Sequence, residues 1–234
     1  MQYPTLSSAK AINFASKTPF SPYYDIVWSF DYAISGNQNT EAGFTVFLSR
    51  GDIPLYGGSG GIDLGYSGLS SSLIERSYIK GGIVGAAIGV GFDTTGLFAA
   101  SAYDGTYKVR DGIDSSNVIK NSVTIRGISS YSYNQYSYHQ PLSGLNSTFS
   151  IVESAEVYKT VRVRLGNIGR TLYIDYRNNP NEEFQPILQK EINILVNKNV
   201  TYCPGISFAT PISSISPAAI GNIFVKNIHT EGAA

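Results

Sequence analysis

Tyr131, Tyr133, Tyr136 and Tyr138 fall within the nine-residue segment YSYNQYSYH, the densest set of side chains in this sequence able to engage a ligand. If Asn134 and Gln135 form a two-residue turn, Tyr133 faces Tyr136 and Tyr131 faces Tyr138, and all four rings share one side of a hairpin. Three uses of such a face stay open: packing beneath a loop, an interface with another subunit, or stacking on the apolar side of pyranose rings while the hydroxyls hydrogen-bond.

Catalytic chemistry is harder to assemble. Hydrolysis of a glycosidic bond needs two carboxylates roughly 5 to 9.5 Å apart, about two to three residues along one face of a strand. Asp25 and Asp31 share a parity but lie roughly 20 Å apart in an extended strand, and Glu182 with Glu183 sit in the turn-like NNPNEEF. Asp111 and Asp114, in RDGIDSSN, suit a solvated turn. The nucleophile motif G-x-S-x-G is absent, and Cys203 beside Pro204 has no catalytic-cysteine signature. The run GGSGG, Gly57 to Gly61, lacks the Lys-Ser/Thr ending of a phosphate loop. Acidic residues in DGTYKVRDGID have the wrong spacing for an EF-hand. One cysteine and two histidines, His139 and His229, cannot build a Cys/His zinc cluster or a disulfide framework. No catalytic residue, metal or cofactor is expected, and the protein reads as a non-enzyme.

Bulk properties agree with a binding or structural role. The 234 residues suit one β-rich domain, with residues 1–22 as an N-terminal extension or arm. Seventeen basic and seventeen acidic side chains leave no net charge and no basic stripe for a phosphate backbone, so nucleic acid is not an expected partner. The start MQYPTLSSAKAINF lacks the features of a secretory signal, and the longest apolar run, GIVGAAIGVGF, is too short to span a bilayer. Export by the usual route and membrane insertion are therefore not expected. Cys203 reads as a structural thiol, Trp28 as core, and His229 as a solvent-facing strand residue.

Period-two alternation recurs between clusters of Gly, Asn, Ser and Pro, the pattern of an all-β sandwich. VRVRL and TLYIDY, joined by GNIG, predict an antiparallel hairpin in which Val161, Val163 and Leu165 answer Leu172, Ile174 and Tyr176. Further strands are expected in DIVWSFDYAI, GFTVFL, GIDLGY, AAIGVGFDT, SVTIRGI, STFSIVE, PGISFA and GNIFVKNIH. PILQKEINILVN supports either a helix starting at Pro186 or a strand, the strand being favoured by its surroundings.

Three stretches in order, EAGFTVFLSR at 41–50, GGSGGIDLGYSGL at 57–69 and AAIGVGFDT at 86–94, resemble the L-type (legume-type) lectin family. KTVRVRLGNIGRTLYIDY is similar to the family's back-sheet hairpin, CPGISFATPISS to its G-F-S-A-A-T-G segment, and IFVKNIHTEG to its closing strand. The resemblance implies a concanavalin-like jelly-roll β-sandwich of two antiparallel sheets that binds carbohydrate at the rim of its concave sheet. It also carries departures. The Glu of the family's metal-binding E-F-D-T is Gly91 here, while Asp93 and Thr94 are kept, and TGLFAAS supplies no further carboxylate. One Asp is too little charge for a cation wanting six to eight oxygens, so the paired-metal site is expected to be lost. The family's sugar-binding Asp aligns with Ala42, with Glu41 one place away, and a backbone donor at Gly60 or Gly61 carries over. Expected carbohydrate contacts are thus Tyr131, Tyr133, Tyr136, Tyr138, Glu41, Gly60, Gly61 and Asp93.

A lectin-like scaffold without export signal, disulfide or metal site suggests a virion surface component, such as a phage capsid decoration or fibre protein made in the host cytoplasm. The alternative is a metal-independent soluble lectin located in the cytoplasm; a concanavalin-like glycanase ranks behind both. Expected partners are a glycan, further copies of the chain, or other virion proteins.

Overall fold

The structure, a computed structural model, describes residues 11–21, 23–36, 43–51, 64, 66, 69–70, 79–80, 83, 86–94, 100–103, 106–109, 121–126, 136–141, 151–166, 169–191, 199–209 and 222–233. Every regular element among them is a strand: β1 (Ala11–Ala15), β2 (Asp25–Ser35), β3 (Gly43–Arg50), β4 (Leu69–Ser70), β5 (Ile79–Lys80), β6 (Ala86–Asp93), β7 (Ala100–Tyr103), β8 (Thr106–Val109), β9 (Ser122–Arg126), β10 (Tyr136–Pro141), β11 (Lys159–Gly166), β12 (Thr171–Arg177), β13 (Gln185–Glu191), β14 (Tyr202–Ala209) and β15 (Asn222–Ala233).

Two antiparallel sheets form the sandwich, one in the order β1-β14-β3-β6-β9-β10 and the other in the order β13-β12-β11-β2-β15. Alternation explains their stacking, because one side chain of every two must be covered. From the five-stranded sheet come Ile26, Trp28, Phe30, Tyr32, Val161, Val163, Leu165, Leu172 and Ile174; from the six-stranded sheet come Phe44, Val46, Leu48, Ile88, Val90, Phe92, Val123, Ile125, Ile206 and Phe208. Trp28 is 2% exposed, as expected of a core residue.

The hairpin read from VRVRL and TLYIDY is present as β11 and β12, with Val161 opposite Tyr176, Val163 opposite Ile174 and Leu165 opposite Leu172. Gly169 turns it with a φ of 74°, in the left-handed region open to glycine. The ambiguous 186–197 segment is strand through Glu191, and a register shift beside Pro186 accommodates the missing N–H. Residues 192–197 lie outside the described residues.

Two strand expectations need correction. Leu64 and Tyr66 of GIDLGY lie in turns, Leu64 with a φ of 49°. Their period-two spacing arises because both side chains plug into the same sheet face, where they join Phe47, Ile83 and Ala86 in a second, smaller apolar cluster. In STFSIVE, residues 151–153 are bends with one parallel bridge, Ser35 to Glu153. Ile151 is buried in the main core, so burial of that residue, and not strand pairing, produced the apolar signal. Within the expected N-terminal extension, residues 11–15 pair with β14, and Phe20 exchanges both backbone hydrogen bonds with Tyr202 at 2.7 and 2.8 Å.

Candidate functional site

Across the six-stranded sheet, register assembles one continuous row: Ala11, Ala209, Gly43, Asp93, Ser122 and Pro141. This row is a rim, where β3 and β9 begin and β6 ends. Beneath it lies an aromatic layer in which Phe44 stacks on Phe92 at 4.5 Å between centroids and contacts Phe208 at 5.7 Å and Tyr32 at 4.7 Å. Phe92 is wholly buried there, which fixes the backbone that presents Asp93.

Glycine is required at position 43. A Cβ there would stand 2.5 Å from the Phe92 carbonyl oxygen and 2.7 Å from Leu64 Cδ2. The strand of EAGFTVFL therefore runs closer to its neighbour than any side chain would allow. On the other side of Asp93, the Asn121 N–H donates to the Thr94 carbonyl at 3.1 Å, with Asn121 at a φ of 51°. These contacts hold the ends of β6 and β9 together at the rim.

Asp93 is 1% exposed and Ser122 is fully buried beside it. The next row on the same face holds Ser207, Thr45, Gly91 and Thr124. The hydroxyls of Ser122, Thr45 and Ser207 are buried and have no hydrogen-bond partner among the described residues. Leu64 packs over Gly43 in the rim row itself, and farther down the face Phe47, Tyr66 and Ile83 cover it, so the middle of this sheet is a packed surface and not an open groove. Tyr66 lies over Gly89, whose Cβ would stand 2.6 Å from the ring.

Of the expected contact residues, Asp93 is placed at the rim. Glu41, Gly60, Gly61, Tyr131 and Tyr133 lie outside the described residues. Tyr136 and Tyr138 belong to edge strand β10, which pairs with β9, and the register shifts between them. Tyr136 joins the row of Arg126 and Tyr138 the row of Ile125, so regular alternation is interrupted inside the tyrosine segment. Ser122 and Thr45 escaped the sequence reading because their proximity to Asp93 depends on cross-strand register.

The residues present do not fit the metal pair implied by the resemblance. Gly91 offers no side chain, the positions flanking Asp93 in its row are Gly43 and Ser122, and among the described residues no group of three His, Cys, Asp or Glu could hold an ion. Asp93 is also the only acidic residue in the described rows of this face, short of the two carboxylates that glycoside hydrolysis uses. Among the described residues, Asp25, Asp31 and Asp175 lie on the outer face of the five-stranded sheet. There Asp31, 7% exposed, accepts from Thr160 Oγ1 and Asn227 Nδ2, both at 2.7 Å. Glu182 lies in the turn after β12. His229 is exposed, as expected of a solvent-facing strand residue, and the register shift between Lys226 and His229 puts it on the face opposite to buried Val225.

No protein-family model and no curated protein sequence matches the chain. Solved structures do match along its length. Lectin II from Ulex europaeus aligns over 100% of this chain and 86% of its own, at 13% identity and a TM-score of 0.60. A lectin from Bauhinia forficata in complex with GalNAc aligns over 100% and 86%, at 14% identity and a TM-score of 0.59. A legume lectin-like domain from Entamoeba histolytica aligns over 99% and 82%, at 11% identity and a TM-score of 0.52. With two antiparallel sheets, the expected back-sheet hairpin and full-length overlap with these proteins, the chain has the legume-type lectin fold, a concanavalin-like jelly-roll sandwich.

Proposed function

We propose that this protein is a non-enzymatic, carbohydrate-binding module of the lectin type, engaging a glycan at the rim where β3, β6 and β9 meet. The observation that carries this reading is the overlap of the whole fold with lectins, one of them in complex with GalNAc. Asp93 and Ser122 lie buried at the base of this rim, where Leu64 packs over Gly43, so a glycan reaches the Asp93 carboxylate only when Leu64 moves aside. Glu41, a backbone donor at Gly60 or Gly61, and the tyrosines 131, 133, 136 and 138 complete the proposed contacts. Binding does not depend on a divalent ion, because Gly43 and Ser122 flank Asp93 and Gly91 precedes it on the same face, where a cation would need further carboxylate oxygens.

A virion surface role is a narrower reading of the same scaffold, and neither the geometry nor the comparisons favour it. The test is a glycan-array screen with and without EDTA, comparing the wild type with Asp93→Asn and with alanine at Tyr131, Tyr133, Tyr136 and Tyr138, each checked for folding by Trp28 fluorescence. Binding that survives EDTA and falls in the folded variants is expected. Binding abolished by EDTA would overturn the metal-independent mechanism, and a folded wild type with no signal would overturn carbohydrate recognition.

A further inference from the structure

At the opposite end of β14 from the rim, roughly 23 Å away by strand rise, Phe20 pairs with Tyr202, and the chain turns through Ser21 into β2. That turn presents Tyr23 and Tyr24 at 57% and 55% exposure, the most exposed large hydrophobic side chains among the described residues. The turn itself is pinned. Phe20 is tied on both backbone groups to Tyr202, the Tyr24 N–H donates to the Ser21 carbonyl at 3.2 Å, and β2 begins at Asp25. Two adjacent rings therefore stand out to solvent beside these backbone contacts.

Asp25 and Arg164 follow directly, on the outer face of the five-stranded sheet. Their nearest atoms, Asp25 Oδ2 and Arg164 Nη1, are 3.7 Å apart, beyond hydrogen-bond length, and the side chains are 34% and 43% exposed. The same sheet face supplies its own control: Arg162 donates to Asp175 through Nε at 3.0 Å and Nη2 at 2.7 Å. Arg162 and Asp175 are satisfied by each other, whereas among the described residues the Asp25 carboxylate accepts no hydrogen bond and the Arg164 guanidinium donates none. The Arg164 guanidinium sits over the Tyr173 ring, its Cζ 3.9 Å from the centroid. Asp25 and Tyr173 converge on bare backbone at Gly166, where a Cβ would stand 3.0 Å from Asp25 Oδ2 and 3.2 Å from Tyr173 Cε2.

We infer that Tyr23, Tyr24, Asp25 and Arg164 form a second glycan-binding site, distinct from the rim, that takes a neutral pyranose. The carboxylate accepts from neighbouring sugar hydroxyls, the guanidinium donates to a ring or hydroxyl oxygen, and a tyrosine ring covers the apolar face of the sugar. Because one carboxylate and one guanidinium already balance each other's charge, an uncharged polyol fits better than an acidic sugar. This extends the glycan-binding reading to a second site, and the experiment separates the two.

The full chain, its Asp25→Asn variant, a Tyr23→Ala/Tyr24→Ala variant and the rim variant Asp93→Asn are compared on one array of neutral and sialylated glycans, with sedimentation to record mass. At least one neutral glycan is expected to bind the wild type and Asp93→Asn alike. Its affinity falls about tenfold in Asp25→Asn, the loss of one hydrogen bond to a charged group, and similarly in the tyrosine variant. Signals lost only in Asp93→Asn would overturn the second site while leaving the rim intact. Absence of any signal would overturn both, and binding confined to sialylated glycans would overturn the neutral class. A dimer that becomes a monomer in the tyrosine variant would make this surface a self-association contact instead.

Discussion

Tyr32→Phe removes a single oxygen from the centre of the sandwich, and the structure says in which direction stability moves. Tyr32 is 1% exposed, its ring lies 4.7 Å from that of Phe44 and 6.1 Å from that of Phe30, and its hydroxyl has no hydrogen-bond partner among the described residues. An unsatisfied buried hydroxyl costs about 1–3 kcal/mol relative to water, and phenylalanine keeps the ring contacts, so the variant gains about 1 kcal/mol after a small packing loss. The same burial, with a lesser contribution from the Glu153 carboxylate, pushes the Tyr32 hydroxyl well above the ordinary tyrosine range. In the unfolded chain Tyr32 ionises near pH ~10, while in the fold it keeps its proton to higher pH. Its contribution to stability is therefore intact below that pH and is lost as pH rises through the folded-state value, at up to about 1.4 kcal/mol per pH unit. The advantage of Tyr32→Phe widens across this alkaline window. Urea unfolding followed by the fluorescence of Trp28, the only tryptophan, reads both effects in one assay. A variant less stable than wild type at pH 7, or a gap that stays constant to pH 11, would refute the account of a solvent-deprived, unpartnered hydroxyl.

Three further outcomes are expected. Asp31→Ala strips the acceptor from Thr160 Oγ1 and Asn227 Nδ2; it costs about 2–3 kcal/mol in urea unfolding and raises amide exchange in β15 around the bulge at Asn227. Gly205→Ala drives a Cβ to 2.3 Å from Phe47 Cζ and 2.6 Å from the Phe14 carbonyl oxygen, so about 1–3 kcal/mol is lost in thermal or urea unfolding. Burial raises the pKa of the Cys203 thiol, so at pH 8 it reacts with a disulfide reagent more slowly than free cysteine and speeds up when urea unfolds the chain; equal rates in both states would contradict this.

Sandwich architecture was legible because alternation is local: Ile26, Trp28, Phe30, Tyr32 and Ile34 announce a buried face before any partner is known. The β11–β12 hairpin was legible for the same reason, its turn and both faces lying in one short segment. GIDLGY and STFSIVE misled because Leu64, Tyr66 and Ile151 are buried by non-adjacent elements, and burial without pairing leaves the same apolar trace. The loose Asp25–Arg164 pair at 3.7 Å and the tight Arg162–Asp175 pair at 2.7 Å also look alike in sequence, since that difference belongs to strand register and not to residue type.

By itself the sequence determined the fold class, the inward faces of the long strands and the loss of the Glu from the FDT segment, since each of these rests on residue identity and short-range periodicity. Tertiary structure alone decided that Gly43, Asp93 and Ser122 form one row, that β10 carries a register shift between Tyr136 and Tyr138, and that Leu64 covers Gly43 while Tyr66 covers Gly89. The physical reason is that strand order and register bring together residues tens of positions apart, and a one-residue slip would turn every side chain of a strand to the opposite face.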